Sequence, residues 1–309
     1  MRSIFSAATQ EAARLNRLDT YFIVAALAVL LLVTYLVVYT SLKFRDKGNG
    51  IEPKQESTNL RLEMLMIGGP TVLVVGFFFL TITTTSAILP PAGTTTPVVL
   101  ITGHQWWWEF RYPGTNVQTA NEVHLPVGQR LLVVGTSADV VHDWWVPSFG
   151  LKMDLIPGLR NHVWVTIKKP GIYEGACSEF CGQQHAWMRI RVVAQMPADY
   201  ARWLQAAARP AVAAPSDSLA RVGGALFAHY ACSSCHQVRG TLAAGQQGPD
   251  LTHFGSRSTM LAGLLPNTPQ NVTRWLTDPQ AVKPGAHMPR FIFGRDSIQA
   301  LTAYLTQLK

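Results

Sequence analysis

The stretch Gly175-Ala176-Cys177-Ser178-Glu179-Phe180-Cys181-Gly182-Gln183-Gln184-His185-Ala186-Trp187-Met188 sets two thiolates, an imidazole and a thioether close together, in the spacing C-x3-C-x3-H-x2-M. These are the soft and borderline ligands that copper takes. A blue-copper site uses one cysteine, whereas two cysteines that can bridge suggest two copper ions sharing sulfur. Each copper then needs an imidazole, and His142 is the candidate for the second. In such a centre Cys177 and Cys181 bridge, His142 and His185 bind one ion each, and Met188 is a weak axial ligand. The backbone carbonyl of Glu179, between the cysteines, serves the other ion. Spreading one electron over two bridged coppers keeps geometry changes small, which suits a relay rather than a catalyst. The same residues leave two alternatives. One is a tetrahedral zinc site of Cys177, Cys181, His142 and His185, against which Met188 counts because a thioether is a poor zinc ligand. The other is a Cys177–Cys181 disulfide.

Around this loop, short β-like runs extend from Pro97 to Ala198: Val98–Thr102, Arg130–Val134, Val163–Ile167 and Met188–Val193, separated by Pro113-Gly114, Pro157-Gly158 and Pro170-Gly171. Short strands with turn formers at this spacing predict an all-β sandwich with the ligand segments on loops at one end.

The other two cysteines of the chain lie in Ala231-Cys232-Ser233-Ser234-Cys235-His236. C-x-x-C-H is a haem-attachment signature, with Cys232 and Cys235 forming thioether bonds and His236 binding iron; a thiol redox or zinc pair is the alternative. Of the downstream methionines, Met288 in Lys283-Pro284-Gly285-Ala286-His287-Met288-Pro289 is preferred as sixth ligand over Met260, His287 and His253. Methionine opposite histidine raises the haem potential, which suits a donor to copper. Gly248-Pro249-Asp250-Leu251 fits the same pattern, with Pro249 against the haem edge. Helices are predicted at 219–230, 269–277 and 296–308. This last domain is basic, as is the 309-residue chain at a formal charge of +8, and its charge suggests an acidic docking face on a partner.

Ahead of the sandwich are two apolar runs, one starting at Tyr21 and one at Met64 and interrupted by Gly68, Gly69 and Pro70. Each is long enough to span a bilayer as a helix; a cleaved signal peptide is the rival for the first. Pro90, Pro91 and Gly93 end the second. Lys43, Arg45, Lys47, Lys54 and Arg61 of the intervening loop outnumber Arg2, Arg14 and Arg17 of the tail, which puts the loop inside and both soluble domains outside. The expected division is an N-terminal segment 1–20 (a surface helix or a loose terminus), spans 21–41 and 64–89, a cytoplasmic loop 42–63, the sandwich 95–205, an Ala/Pro-rich linker 206–218 and the haem domain 219–309.

The words His142-Asp143-Trp144-Trp145-Val146-Pro147-Ser148-Phe149-Gly150, Asp154-Leu155-Ile156-Pro157-Gly158 and Cys177 to Met188, with Gly103-His104-Gln105-Trp106-Trp107-Trp108-Glu109, closely resemble subunit II of cytochrome c oxidase. The added C-x-x-C-H domain resembles the fused cytochrome of the caa-type oxidases. The likeness runs from Asp19 to Lys309. It departs at Pro157-Gly158-Leu159-Arg160, where the family commonly reads P-G-R, and in the missing Trp-Thr pair before Pro70.

The resemblance implies a two-helix membrane hairpin, a cupredoxin domain (a Greek-key sandwich) and an all-α class I cytochrome c domain. It implies a binuclear CuA centre of two copper ions held by His142, Cys177, Glu179 through its carbonyl, Cys181, His185 and Met188. One covalent haem c is implied on Cys232, Cys235, His236 and Met288. Trp106 matches the tryptophan through which electrons arrive, with edge packing of the sandwich as the alternative. Glu63 matches a glutamate at the mouth of a proton path, with a solvated interfacial glutamate as the alternative. The Glu179 side chain matches a magnesium ligand at the contact with subunit I.

The implied function is the electron-receiving subunit of a haem-copper terminal oxidase in a bacterial cell membrane. A respiratory donor such as cytochrome c delivers electrons to haem c; they pass to CuA and then to subunit I, where oxygen is reduced to water with proton pumping. Partners are subunit I, other oxidase subunits, the donor and membrane lipid, with no nucleic acid. The alternatives are the CuA and haem c subunit of a nitric oxide reductase, and a stand-alone membrane-anchored electron carrier.

Overall fold

The computed structural model describes residues 5–46, 48, 50, 58–89, 96–211 and 217–309. Lys47 and Lys54 of the basic loop, Pro90, Pro91 and Gly93 after the second span, and the middle of the Ala/Pro-rich linker lie outside the described residues. The chain divides into two compact units, Ala13–Leu89 and Met1–Ala12 with Pro90–Lys309.

The first unit is a helix pair, α1 (Gln10–Lys43) and α2 (Leu60–Ile88). Both are long and apolar enough to cross a membrane. Phe22 stacks on Phe77 with ring centroids 4.1 Å apart, and Arg14 donates to the Ala87 carbonyl at 2.7 Å, so the helices run antiparallel. Asn59 caps α2 by accepting from Leu62 N–H, while Glu63 accepts from Asn59 N–H at 3.1 Å. This reciprocal arrangement satisfies amides that a helix start leaves open. Helix α1 begins well before Tyr21 because nothing in Gln10–Asp19 breaks a helix; its residues are mostly strong helix formers.

In the second unit, Thr9 bridges Ile167 in antiparallel fashion, and its hydroxyl accepts from Ala12 N–H at the start of α1. Buried Glu11 accepts from Thr166 N–H at 2.8 Å and from the Thr166 hydroxyl at 2.9 Å. The segment before the first span is therefore bound to the sandwich rather than loose. Its polar residues make backbone hydrogen bonds that no hydropathy pattern reports.

Two five-stranded sheets follow. The strands are β1 (Val99–His104), β2 (Trp107–Arg111), β3 (Gln118–Ala120), β4 (Glu122–Pro126), β5 (Leu131–Ser137), β6 (His142–Trp145), β7 (Lys152–Leu155), β8 (Asn161–Val165), β9 (Gly171–Cys177) and β10 (Arg189–Gln195). Their orders are β3-β2-β1-β5-β8 and β4-β10-β9-β6-β7, with β1/β5 and β4/β10 parallel. This is the sandwich expected from the strand runs, in the cupredoxin form that the resemblance implies. Alternation fills its centre: β5 turns Leu131 and Val133 inward, and β10 turns Ile190, Val192 and Ala194 inward. Trp108, Phe110, Trp144, Phe149 and Tyr173 complete the core. Gly175 allows β9 to press on β6, since a Cβ there would lie 2.2 Å from the Trp145 carbonyl oxygen. Helix α3 (Pro197–Ala207) closes the sandwich through Trp203, whose ring stacks on His124 at 4.0 Å.

The C-terminal domain contains α4 (Ser218–His229), the single turn α5 (Cys232–Cys235), a hairpin β11 (Thr259–Met260) and β12 (Leu265–Pro266), then α6 (Pro269–Thr277), α7 (Pro279–Val282) and α8 (Arg295–Gln307). It is helical as expected, with the small hairpin added. Helices α4 and α8 cross at Gly223, where a Cβ would meet the Ala300 carbonyl oxygen at 1.9 Å. Phe227 packs against Tyr304 beside that crossing.

Candidate functional site

Topology converts distant sequence into one cluster at the end of the sandwich. Strands β9 and β10 are antiparallel neighbours, and their connection is the Cys177–Met188 loop. Strand β6 pairs with β9 so that Trp144 faces Cys177, which brings His142 to the same end. The thiol sulfurs of Cys177 and Cys181 are 3.8 Å apart. His142 Nδ1 lies 4.0 Å from Cys177 Sγ, and His185 Nδ1 lies 3.7 Å from Cys181 Sγ. Met188 Sδ is 3.9 Å from Cys181 Sγ, and the Glu179 carbonyl oxygen is 3.2 Å from Cys177 Sγ. His142, Cys177 and Cys181 form a buried cluster able to hold a metal ion. A disulfide is not formed.

Electrostatics favour a thiolate here. The hydrogen bond from Cys181 holds the Cys177 thiol far below its usual range, to about 3, with His142 and backbone amides adding to it against the cost of burial. Cys181 is pushed up in turn, because two neighbouring thiols share the loss of one proton. A cation between them removes that conflict, so the donor set fits a bridging metal. Six donors, two of them thiols and one a thioether, exceed what one tetrahedral zinc uses.

Asp139, not singled out in the sequence, accepts from His142 Nε2 at 2.7 Å and from Gln105 N–H. This bond fixes the ring so that Nδ1 points at the sulfurs, as carboxylate partners of metal-ligating histidines do. Burial works against a charged His142, but the Asp139 bond and Cys177 outweigh it and raise its pKa. The only sequence signal was an Asp three residues ahead of the histidine. Asp143 is buried on the far side, accepts from Ser178 Oγ, and is raised to about 6, chiefly by burial.

A cavity of about 430 Å³, within the range of ligand sites, lies between the C-terminal domain and the sandwich residues Gln105–Trp107, Ala120 and Asn121. Cys232, Cys235 and His236 line it with Met260, Met288, Trp275, Phe254 and Leu301. His236 Nδ1 donates to the Pro249 carbonyl at 2.8 Å, which leaves Nε2 as the free ring nitrogen. Gly248 lets the backbone lie on that ring, since a Cβ there would be 2.6 Å from it. This apolar, His-faced chamber with two adjacent thiols fits a covalently held haem. Both Met260 and Met288 line the chamber, as does His287. His253 instead hydrogen-bonds the carbonyls of Ala207 and Arg209.

Trp106 lies between the two centres. Its Nε1 donates to the Cys181 carbonyl at 2.9 Å, its ring centroid is 5.0 Å from that of His287, and it lines the haem-shaped cavity. Trp107 and Trp108 are buried in the sandwich. Glu63 caps α2, and the Glu179 side chain is exposed.

These observations define a membrane-anchored chain with two metal-type centres, one in a β-sandwich and one in a helical C-x-x-C-H domain. Residues 114–195 match the periplasmic domain of cytochrome C oxidase subunit II, and residues 220–309 match the cytochrome c family. Cytochrome c oxidase subunit 2 of Alkalihalophilus pseudofirmus is 36% identical over 202 residues, covering 65% of this chain and 58% of that protein. The subunit 2 of Bacillus sp. strain PS3 is 33% identical over 217 residues, covering 65% and 59%. A crystal structure of the periplasmic domain of subunit II of cytochrome oxidase of Bradyrhizobium japonicum is 32% identical, covers 38% of this chain and 96% of that one, and has a TM-score of 0.36. The match to the first two relatives thus spans somewhat under three fifths of their length. Residues 114–195 thus form a domain of the cytochrome c oxidase subunit II periplasmic family, followed by a cytochrome c domain at residues 220–309. The first of these domains implies copper and the second haem.

Proposed function

We propose that this chain is the electron-receiving subunit of a haem-copper terminal oxidase. Electrons from a respiratory donor reach haem c in the C-terminal domain, cross to a binuclear CuA centre and leave for subunit I, where oxygen is reduced with proton pumping. The observation that carries this reading is Trp106, which hydrogen-bonds the carbonyl of Cys181 and at the same time faces His287 beside Met288.

Cys177 and Cys181 as shared thiolates, His142 and His185 as one imidazole for each ion, and Met188 with the Glu179 carbonyl as weaker donors would hold the two coppers. The separations among these atoms support that assignment. Copper held this way supplies one-electron chemistry with little rearrangement. The protein holds the donors in place: Asp139 aims His142, and burial of Cys177, Cys181 and Met188 excludes water. In the haem domain Cys232 and Cys235 would hold the haem by thioether links, and His236 through Nε2 and Met288, on a loop braced by Gln280, would bind its iron.

Phe180 and Val140, each next to the copper cluster in sequence, are exposed apolar side chains of the kind a contact with subunit I would cover. Magnesium at the exposed Glu179 carboxylate would need its remaining ligands from that subunit. The Glu11–Thr166 pin supports an orientation in which the start of α1 and both soluble domains share the outer side of a bacterial cell membrane.

Metal analysis with EPR on the purified protein tests the reading. Two coppers and one haem iron per chain are expected, with a seven-line mixed-valence copper spectrum. One zinc and no copper would sink it.

A further inference from the structure

The loop that carries Met288 rests on the loop that carries the copper donors, and one buried cation holds it there. Lys283 is 5% exposed, and its Nζ donates to the Trp106 carbonyl at 3.0 Å. Beside it, buried Gln184 donates to the Pro284 carbonyl, and Gly285 lies against the Gln183 side chain. Gln183 and Gln184 sit between Cys181 and His185, so residues 283–285 lie directly on the copper loop. Within its own domain the loop is stiff: Gln280 accepts from Gly285 N–H and donates to the carbonyls of Ala286 and Met288.

The two domains are also joined elsewhere, away from the copper loop. Ser258 donates to Glu122 at 2.6 Å, and Arg239 donates to the carbonyls of Ala207 and Ala208. Those contacts keep the C-terminal domain attached. They leave Lys283 with a separable task. A buried ammonium that meets one carbonyl and no carboxylate is costly, and a methionine or leucine would fill the same volume without that cost.

We propose that Lys283 is a positioning residue that clamps the Met288 loop onto Trp106 and so sets the rate of electron transfer from haem to copper within this chain. The inference rests on the relay reading given above. One electron moves in the step, out of the haem and into the copper centre, and no bond forms or breaks. The Lys283 ammonium neither binds nor transfers anything; it fixes where the two loops meet.

The test uses the purified, detergent-solubilised holoprotein with its co-purifying subunits. Flash reduction by a photoexcited ruthenium complex is followed at the haem band and at the near-infrared copper band. Hydrogen exchange of residues 283–289 is measured in parallel. Lys283→Met is expected to slow haem-to-copper transfer at least tenfold and to raise exchange in the loop, with haem photoreduction and both reduction potentials unchanged. A haem pocket that was merely damaged would shift the potentials as well. Lys283→Gln, whose amide still donates to the Trp106 carbonyl, is expected to recover most of the rate. It also serves as the deciding variant if the methionine form fails to take up haem. A wild-type rate and wild-type exchange in Lys283→Met overturn the proposal, as does a Gln form no faster than the Met form. If the unaltered protein shows no copper reduction after haem reduction, the relay reading itself falls, and the exchange data still decide whether Lys283 clamps the loop.

Discussion

His142 illustrates how much one residue depends on a neighbour that carries no motif. Its ring is fully buried, and without the Asp139 bond either nitrogen could face the sulfurs. Asp139→Asn is expected to weaken copper binding by roughly tenfold to a hundredfold. Titration against a competing chelator would read this, with the fold intact. The proposed donors Cys177, Cys181, His185 and Met188 stood out because donor type and spacing are written along one loop. Asp139 was not, since a supporting carboxylate has no required spacing. Lys283 was invisible for a stronger reason, as its partner Trp106 is 177 residues away. His104 supplies a pH prediction. Burial pulls its pKa to about 4, with Asp139 opposing and His142 and Arg111 adding. The unfolded chain takes up the proton near the ordinary histidine value of about 6.5, so stability is complete above that pH and falls as the pH drops towards 4. The loss is on the order of 3 kcal/mol. His104→Phe keeps a ring against Trp107 and removes the titration, so its stability should stay flatter across that window in denaturant melts.

At the scale of elements, the strands around the metal loop were readable from short β-like runs set off by Pro-Gly turns, and the C-terminal helices from their ranges between turn-forming stretches. Thr268 capping α6 through Asn271 N–H is a case in which the residue type announces the helix start. The start of α1 was missed because the apolar run, rather than the helix, ends near Tyr21. The hairpin β11–β12 was missed because two-residue strands leave no period to detect. Close approach of elements is also hidden in sequence until a glycine is seen in place. Gly175→Ala would force a methyl into the Trp145 carbonyl and part β6 from β9. Overpacking of this kind costs roughly 1–3 kcal/mol, so the sandwich should melt roughly 5–15 °C lower, with weaker copper retention because β6 carries His142. Gly223→Ala should act likewise in the C-terminal domain by separating α4 from α8, and calorimetry should place that loss in the haem-domain transition.

At the scale of the molecule, the order of parts was legible, because membrane spans, sandwich and C-x-x-C-H domain differ in composition and period. How the C-terminal domain meets the sandwich was not. That contact is made by scattered polar groups such as Ser258, Arg239 and Gln184, none of which forms a pattern in sequence. The basic character of the C-terminal domain predicts that reduction by an acidic soluble donor slows as salt rises, because the encounter is steered by charge. Transfer across the part-buried Trp106 contact inside the protein should be much less sensitive to salt. Stopped-flow measurements over a range of ionic strength separate the two steps.

The bridge between Thr9 and Ile167 has a consequence for anyone who cuts the molecule. It lies just beyond β8, the outermost strand of its sheet, and together with Glu11 on Thr166 it covers the amides and carbonyls at that margin. A soluble fragment beginning after α2 loses this cover and presents an open ladder to other copies of itself. Such a fragment should self-associate in sedimentation velocity runs, and adding residues 5–12 as a free peptide should disperse it.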